Sequence, residues 1–220
     1  MKVLAIEMSS PRGSVSLSED GVGRARREWT DGGRCGGRAA AAVRDVLQEA
    51  GVSMDHIDLW VAGRGPGNYS GIRMALILAR SLALPHGKEA VAVDSGAALA
   101  DALLEETGAE TVRVVGDARR NQLWTGLFSR KDPERIPCGG WRLVDPVHLE
   151  SVDRAEIAAT SDWDRVSALV DLSDDRLART WIRESRSPDA FHLARLALQQ
   201  QSGRRRPDPF SPLYLHPAVR

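Results

Sequence analysis

The chain has 220 residues, 42% hydrophobic and 27% charged, a balance that supports one ordinary folded domain or two small ones. Thirty Lys and Arg offset thirty Asp and Glu, so no overall positive field draws in a polyanion, which excludes strong unaided nucleic-acid binding. Cys35 and Cys138 form no CxxC pair and no apolar run reaches membrane-spanning length, which excludes a zinc knuckle, a disulfide framework and a membrane helix; the cytoplasm is the expected location.

In chain order, residues 2–9 (KVLAIEMS), 13–20 and 23–30 read as three strands separated by turns at Pro11 to Gly13 and at Asp20 and Gly21, an antiparallel meander. The segment 38–51 (RAAAAVRDVLQEAG) has the alanine content and apolar spacing of a helix closed by Gly51. Residues 57–63 form a short apolar strand, Ser70 to Leu84 a second helix with Ser70 as its cap, and 89–94 another strand, giving βββαβαβ. The second half repeats the theme. A helix runs from about Ser95 to Glu106 behind Asp94, strands occupy 111–118 and 122–130, and a Pro/Gly-rich stretch continues to about Pro146. Residues 150–186 carry no pattern that assigns them. Residues 187–201 read as a helix with Ser187 as N-cap and Pro188 in its first position, and the basic, Pro-rich tail reads as an irregular arm.

The stretch VAGRGPGNYSG (61–71) places four glycines and a proline in front of an apolar helix. It fails the phosphate-loop patterns: Gly63 and Gly65 are followed by Asn68 where a dinucleotide fingerprint needs glycine, and no lysine follows any glycine of the loop as a Walker pattern requires. Helix-opening N–H groups and Arg73 could still make a generic anion contact. The five histidines (56, 86, 148, 192 and 216) include no HxxxH pair, so no metal is expected, and GNYSG is not the GxSxG elbow of a serine nucleophile. Glu7 and Asp117 stand at matching places in the two halves, where paired acids can hold a metal-bound nucleotide. The turns after them, MSSPRG and ARRN, lack the glycines that would let backbone N–H groups approach phosphate.

The helix 70–84 is apolar nearly all round, with Ala75, Ala79 and Ala83 four apart as a small-residue ridge and a similar run at Ala39 to Ala42 in the preceding helix. Two arrangements fit. In one, these helices make half of a helix-on-helix interface; in the other, they cover a large sheet and the second half of the chain buries the excess.

The segments KVLAIEMSSPRGSVSL, GRGPGNYSGIRMALILARSLAL, VVGDARRNQLW and PLYLHP together resemble the TsaB (YeaZ) family, partner proteins of bacterial tRNA threonylcarbamoyladenosine synthesis. The likeness runs from the first strand to the tail and is weakest over 130–186. The resemblance implies an α/β, actin-like (ASKHA, ribonuclease H-like) fold of two subdomains, each a mixed sheet flanked by helices. The expected division is 1–94, joined by the arm 205–220, and a smaller degenerate subdomain, 95–204. It further implies a non-catalytic subunit that pairs with the metal-bearing TsaD subunit and the TsaE ATPase, or with a second copy when TsaD is absent. No cofactor is expected on the isolated chain, with the junction to the partner as the place for a nucleotide, and tRNA is met only through the complex. The expected interface comprises Ala39, Ala42, Val43 and Val46 of the first helix. From the loop and second helix it takes Gly65, Pro66, Gly67, Ser70, Gly71, Ile72, Arg73, Ala75, Leu76, Ala79, Arg80 and Ala83. Four positions depart from the family pattern: Glu7 replaces Asp, Cys35 with Gly36 replaces His-Ser, and His216 replaces Arg. The alternative function is an active ATPase or phosphotransferase of the same fold, with Glu7 and Asp117 around magnesium.

Overall fold

The computed structural model describes residues 1–30, 36–149, 155–173 and 175–215. Two five-stranded mixed sheets carry the chain. The first is built from β1 (Lys2–Glu7), β2 (Arg12–Glu19), β3 (Val22–Thr30), β4 (Leu59–Gly63) and β5 (Glu89–Val93), in the order β3-β2-β1-β4-β5. The second takes β6 (Thr111–Arg119), β7 (Gln122–Ser129), β8 (Arg142–Val144), β9 (Ile157–Thr160) and β10 (Trp181–Ser185), in the order β10-β9-β6-β7-β8. Each sheet pairs its first three strands antiparallel and adds two parallel strands on the far side of the first, so the two share one topology. Parallel addition needs a helical crossover. In the first half, α1 (Gly36–Ala50) leads to β4 and α2 (Tyr69–Ala83) joins β4 to β5.

The two-residue period of the central strands separates two cores. Leu4, Ile6, Trp60 and Ala62 pack with α1 and α2 on one face of the first sheet. Val3, Ala5, Leu59 and Val61 pack on the other face with α3 (Ser95–Thr107) and α6 (Ala190–Gln201), and this second core continues into the second sheet through Val112, Val114 and Phe128. The end helices cross over: α3, which follows β5, packs on β6 and β7, whereas α6, which follows β10, packs on β1, β2, β4 and β5. A third, smaller core gathers Val115, Leu123, Val166 and Trp181 around the short α4 (Trp163–Ser167). These paired mixed sheets flanked by helices are the actin-like (ASKHA, ribonuclease H-like) two-subdomain fold.

Most elements lie within two residues of their sequence-based positions, but two caps differ. Asn68, not Ser70, caps α2: its side chain accepts a hydrogen bond from the Ser70 N–H. Asp189, not Ser187, caps α6, accepting from the Phe191 N–H, so Pro188 lies before the helix. In both cases the acceptor stands two residues ahead of an exposed N–H, the geometry of an N-cap. The unassigned stretch holds β9, α4, α5 (Asp175–Thr180) and β10 among its described residues, elements of six residues or fewer that leave little room for a period.

Candidate functional site

The glycine loop joins β4 to α2 and is pressed against the end of β1. Asn68 N–H donates to the Ser9 carbonyl at 2.7 Å, and the Gly65–Pro66 peptide is cis. Gly71 in the first turn of α2 lies so close to β1 that an added Cβ would stand 1.9 Å from the Met8 carbonyl oxygen. Glycine there lets a helix seat on backbone. At the end of β1, Glu7 is fully buried. Its Oε1 accepts from the Ser9 N–H at 2.5 Å, while Oε2 has no hydrogen-bond partner. A Cβ at Gly63 would lie 1.9 Å from that Oε2, so the carboxyl fills the space a larger residue would take. Burial pushes the Glu7 carboxyl above its ordinary range, opposed only in part by hydrogen bonding to Ser9.

Asp117, its counterpart in the second half, is placed differently. It pairs with Arg119 at 2.9 Å and with Arg165 at 3.5 Å, at the base of a hairpin whose Arg119, Arg120 and Asn121 all have positive φ. Among the described residues, no group of three or more His, Cys, Asp and Glu side chains could hold a metal ion.

Behind the loop lies a buried polar cluster that no sequence motif marks. The Arg64 Nε stands 2.8 Å from Asp94 Oδ1, its Nη1 donates to the Pro209 carbonyl at 2.9 Å, and its own carbonyl accepts from the Leu213 N–H at 2.8 Å. Trp141 Nε1 donates to Asp94 Oδ2 at 3.0 Å. Asp208 accepts from the Asp94 N–H, from Gln200 and from Arg205, and forms an antiparallel bridge with Ala92 at the edge of the first sheet. Burial raises the Asp94 carboxyl, and the neighbouring Asp208 charge adds to the rise against the pull of Arg64. The tail is therefore a strap along the loop. It continues over α2, where Phe210 lies under Arg80 and Tyr214 stacks on Tyr69 at 4.9 Å between ring centres. An arginine flanked by glycines and an aspartate directly after a strand are the signals the sequence offers, but their meeting depends on the tail's path.

The helix faces correct the expected interface. Ile72, Ala75, Leu76, Ala79 and Ala83 point into the first sheet and its core, with Gly71 beside them. The small side chains of Ala75, Ala79 and Ala83 bring α2 close to β4, so the ridge serves the interior and is not open to a partner. Ala39, Ala42, Val43 and Val46 of α1 are likewise buried in that core, and Gly65 and Pro66 lie buried behind the loop. Gly67, Ser70, Arg73 and Arg80 are exposed. Beside them, outside the expected set, Tyr69 (53% exposed), Met74 (37%), Ile77 (58%) and Leu84 (75%) form an apolar stripe on the solvent side of α2. An exposed stripe of this kind is what a partner would cover. Of the Arg204 to Arg206 run, Arg205 is buried and paired with Asp208 at 2.7 Å. Cys35 and His216 lie outside the described residues.

Comparison with known proteins places this geometry. A family model described as TsaD, tRNA N6-adenosine threonylcarbamoyltransferase, matches residues 37–137. The tRNA threonylcarbamoyladenosine biosynthesis protein TsaB of Escherichia coli (strain K12) is 29% identical over 137 residues, 60% of this chain and 57% of that protein. The protein of the same description from Bacillus subtilis (strain 168) is 33% identical over 95 residues, 43% of this chain and 41% of that protein. The matches thus span 57% and 41% of the length of these two curated relatives. Among solved structures, a Pseudomonas aeruginosa protein described as similar to peptidase YeaZ superposes with a TM-score of 0.82 at 26% identity, covering 98% of this chain and 99% of that one. YeaZ from Pseudomonas aeruginosa gives 0.79 at 25% identity, covering 97% and 100%.

Proposed function

This chain belongs to the TsaB (YeaZ) family, and from that premise we propose that it is the non-catalytic partner of a TsaD-like subunit in forming threonylcarbamoyladenosine beside the tRNA anticodon. The observation that carries the reading is the exposed apolar stripe of α2, with Tyr69, Met74, Ile77 and Leu84 open to solvent while the opposite side of the same helix is fully buried. Covering such side chains stabilises a complex by about 1.5–3 kcal/mol for each large residue fully buried. The partner performs the transfer of threonylcarbamate from its adenylate, and this chain holds that partner in its working form. A TsaE-like ATPase joins the assembly, a second copy occupies the face when the partner is absent, and nucleotide binds at the junction rather than to the isolated chain. The setting is the cytoplasm, in keeping with the lack of any described helix long and apolar enough to cross a membrane. The sealed Glu7 carboxyl supports a role without chemistry of its own, because a group with no open side cannot meet a phosphate-bound metal.

Ile77→Glu tests the reading on a position whose side chain already meets water, so the fold should survive with an unchanged melting temperature. Co-purification with the cognate TsaD-like subunit should weaken at least ~10-fold, the equivalent of about 1.4 kcal/mol, and reconstituted tRNA modification should fall with it. Equal binding and equal modification by the variant would place the partner elsewhere. Calorimetry with ATP and magnesium on the isolated chain should give no heat of binding; saturable binding would favour the phosphotransferase instead.

A further inference from the structure

The solvent side of α2 carries charge of one sign only, and a role for that charge rests on the proposal that this side is a docking face. Arg73 and Arg80 flank Ile77 on the exposed surface, and α2 contains no acidic residue. Neither arginine has an ion-pair partner among the described residues. Arg73 donates to the Tyr69 hydroxyl at 2.8 Å and stands 5.3 Å from that ring's centre, while Arg80 lies 5.6 Å over Phe210. Ring contacts of this kind hold a guanidinium in place without neutralising it. The acids of the adjacent α1 are already engaged, Asp45 with Arg44 at 3.5 Å and Glu49 with Arg27.

A two-fold pair of identical chains presents the same patch from both sides. If two α2 helices cross antiparallel about Ile77, Arg73 lies four residues before the centre and Arg80 three after, so each meets the other's counterpart with an axial offset of about 1.5 Å. A parallel crossing sets Arg73 against Arg73 and Arg80 against Arg80. In both, like faces like, which disfavours the pair. A different polypeptide with an equivalent apolar strip and carboxylates beside it would give each arginine a counter-charge.

We infer that Arg73 and Arg80 select the occupant of the α2 face, favouring a protein partner whose apolar strip is flanked by carboxylates and weakening the docking of a second copy of this chain. The two associations then respond to salt in opposite directions, because screening relieves the repulsion between copies and removes the attraction to an acidic partner.

Sedimentation velocity of the wild type, the Arg73→Glu/Arg80→Glu double variant and their equimolar mixture tests this. In ~0.05 M salt the mixture should associate at least ~10-fold more tightly than either protein alone, and that advantage should vanish at ~0.5 M. The neutral pair Arg73→Gln/Arg80→Gln should self-associate more tightly than wild type at low salt, a check that holds even if the glutamate variant folds poorly. The cognate TsaD-like subunit should bind the wild type at least ~10-fold better than the glutamate variant. Self-association that is equally tight in wild type, glutamine variant and mixture, and indifferent to salt, would overturn the selection by charge. Under that result, a loss of TsaD-like binding by Ile77→Glu would still leave the docking face standing; retention of binding by Ile77→Glu would remove the face itself.

Discussion

Glu7 sits where its carboxyl can lose no proton cheaply: it is fully buried, and one of its oxygens has no partner. A carboxyl raised in the folded state binds a proton that the unfolded chain has already released, so stability declines as pH rises through the ordinary glutamate range and onward to the folded-state value. Glu7→Gln keeps the shape without the charge. At neutral pH it should raise stability by ~1 kcal/mol, about 2–4 °C in Tm for a chain of this size, and below pH ~4 the difference should disappear as both forms become neutral. Thermal melts across that range decide it, and a variant less stable than wild type at neutral pH would show an ionised Glu7 in a compensating environment. The sequence pointed to Glu7 through its place at a strand end, but an acid at a strand end reads the same whether open or sealed. Gly63 and the turn to Ser9 seal it, and those contacts are tertiary.

At the scale of elements, the tail is held by one side chain more than by any length of backbone pairing. Arg64 reaches Asp94 and the Pro209 carbonyl, and its own carbonyl receives the Leu213 N–H. Arg64→Ala would leave Asp94 buried without its cation, which costs about 3–5 kcal/mol when one member of a buried pair is removed. Urea unfolding should show that loss. Trypsin should also cut faster after Arg204 and Arg205 in the variant, since an unclasped arm opens locally before the whole chain does. Unchanged cutting would mean that the Ala92 to Asp208 bridge holds the strap unaided. The helices themselves were legible, α2 especially, yet which side of α2 faces out was not. Its apolar residues run nearly all round, and only the position of β4 determines that Ala75, Ala79 and Ala83 turn inward while Met74 and Ile77 turn out.

Across the whole molecule, the two sheets are tied by exchanged helices, and one buried acid links them. Asp101 of α3 meets Arg135 at 2.9 Å, His192 Nδ1 at 3.0 Å and Arg195 at 2.8 Å. Burial by itself would raise this carboxyl, but the His192 hydrogen bond and the charges of Arg195 and Arg135 outweigh it and hold it below the ordinary range. The sign is therefore opposite to that of Glu7. Its contribution is present above the unfolded aspartate value and is lost as pH falls through the lower folded value. Asp101→Asn should destabilise the chain by about 3–5 kcal/mol at neutral pH, and wild type and variant should converge in acid. A gap that stays constant with pH would assign the effect to packing alone.

The sequence by itself determined the first seven strands and the long helices, the absence of phosphate-loop and nucleophile motifs, and the resemblance to the TsaB (YeaZ) family, because these rest on local periodicity and on short contiguous segments. The tertiary structure alone decided which residues are surface. It buried most of the expected interface, closed Glu7, and brought Arg64, Asp94, Trp141 and Asp208 together from four separate stretches of chain. Exposure belongs to a side chain's neighbours in space, and on a helix that is apolar all round only the sheet beneath it breaks the symmetry.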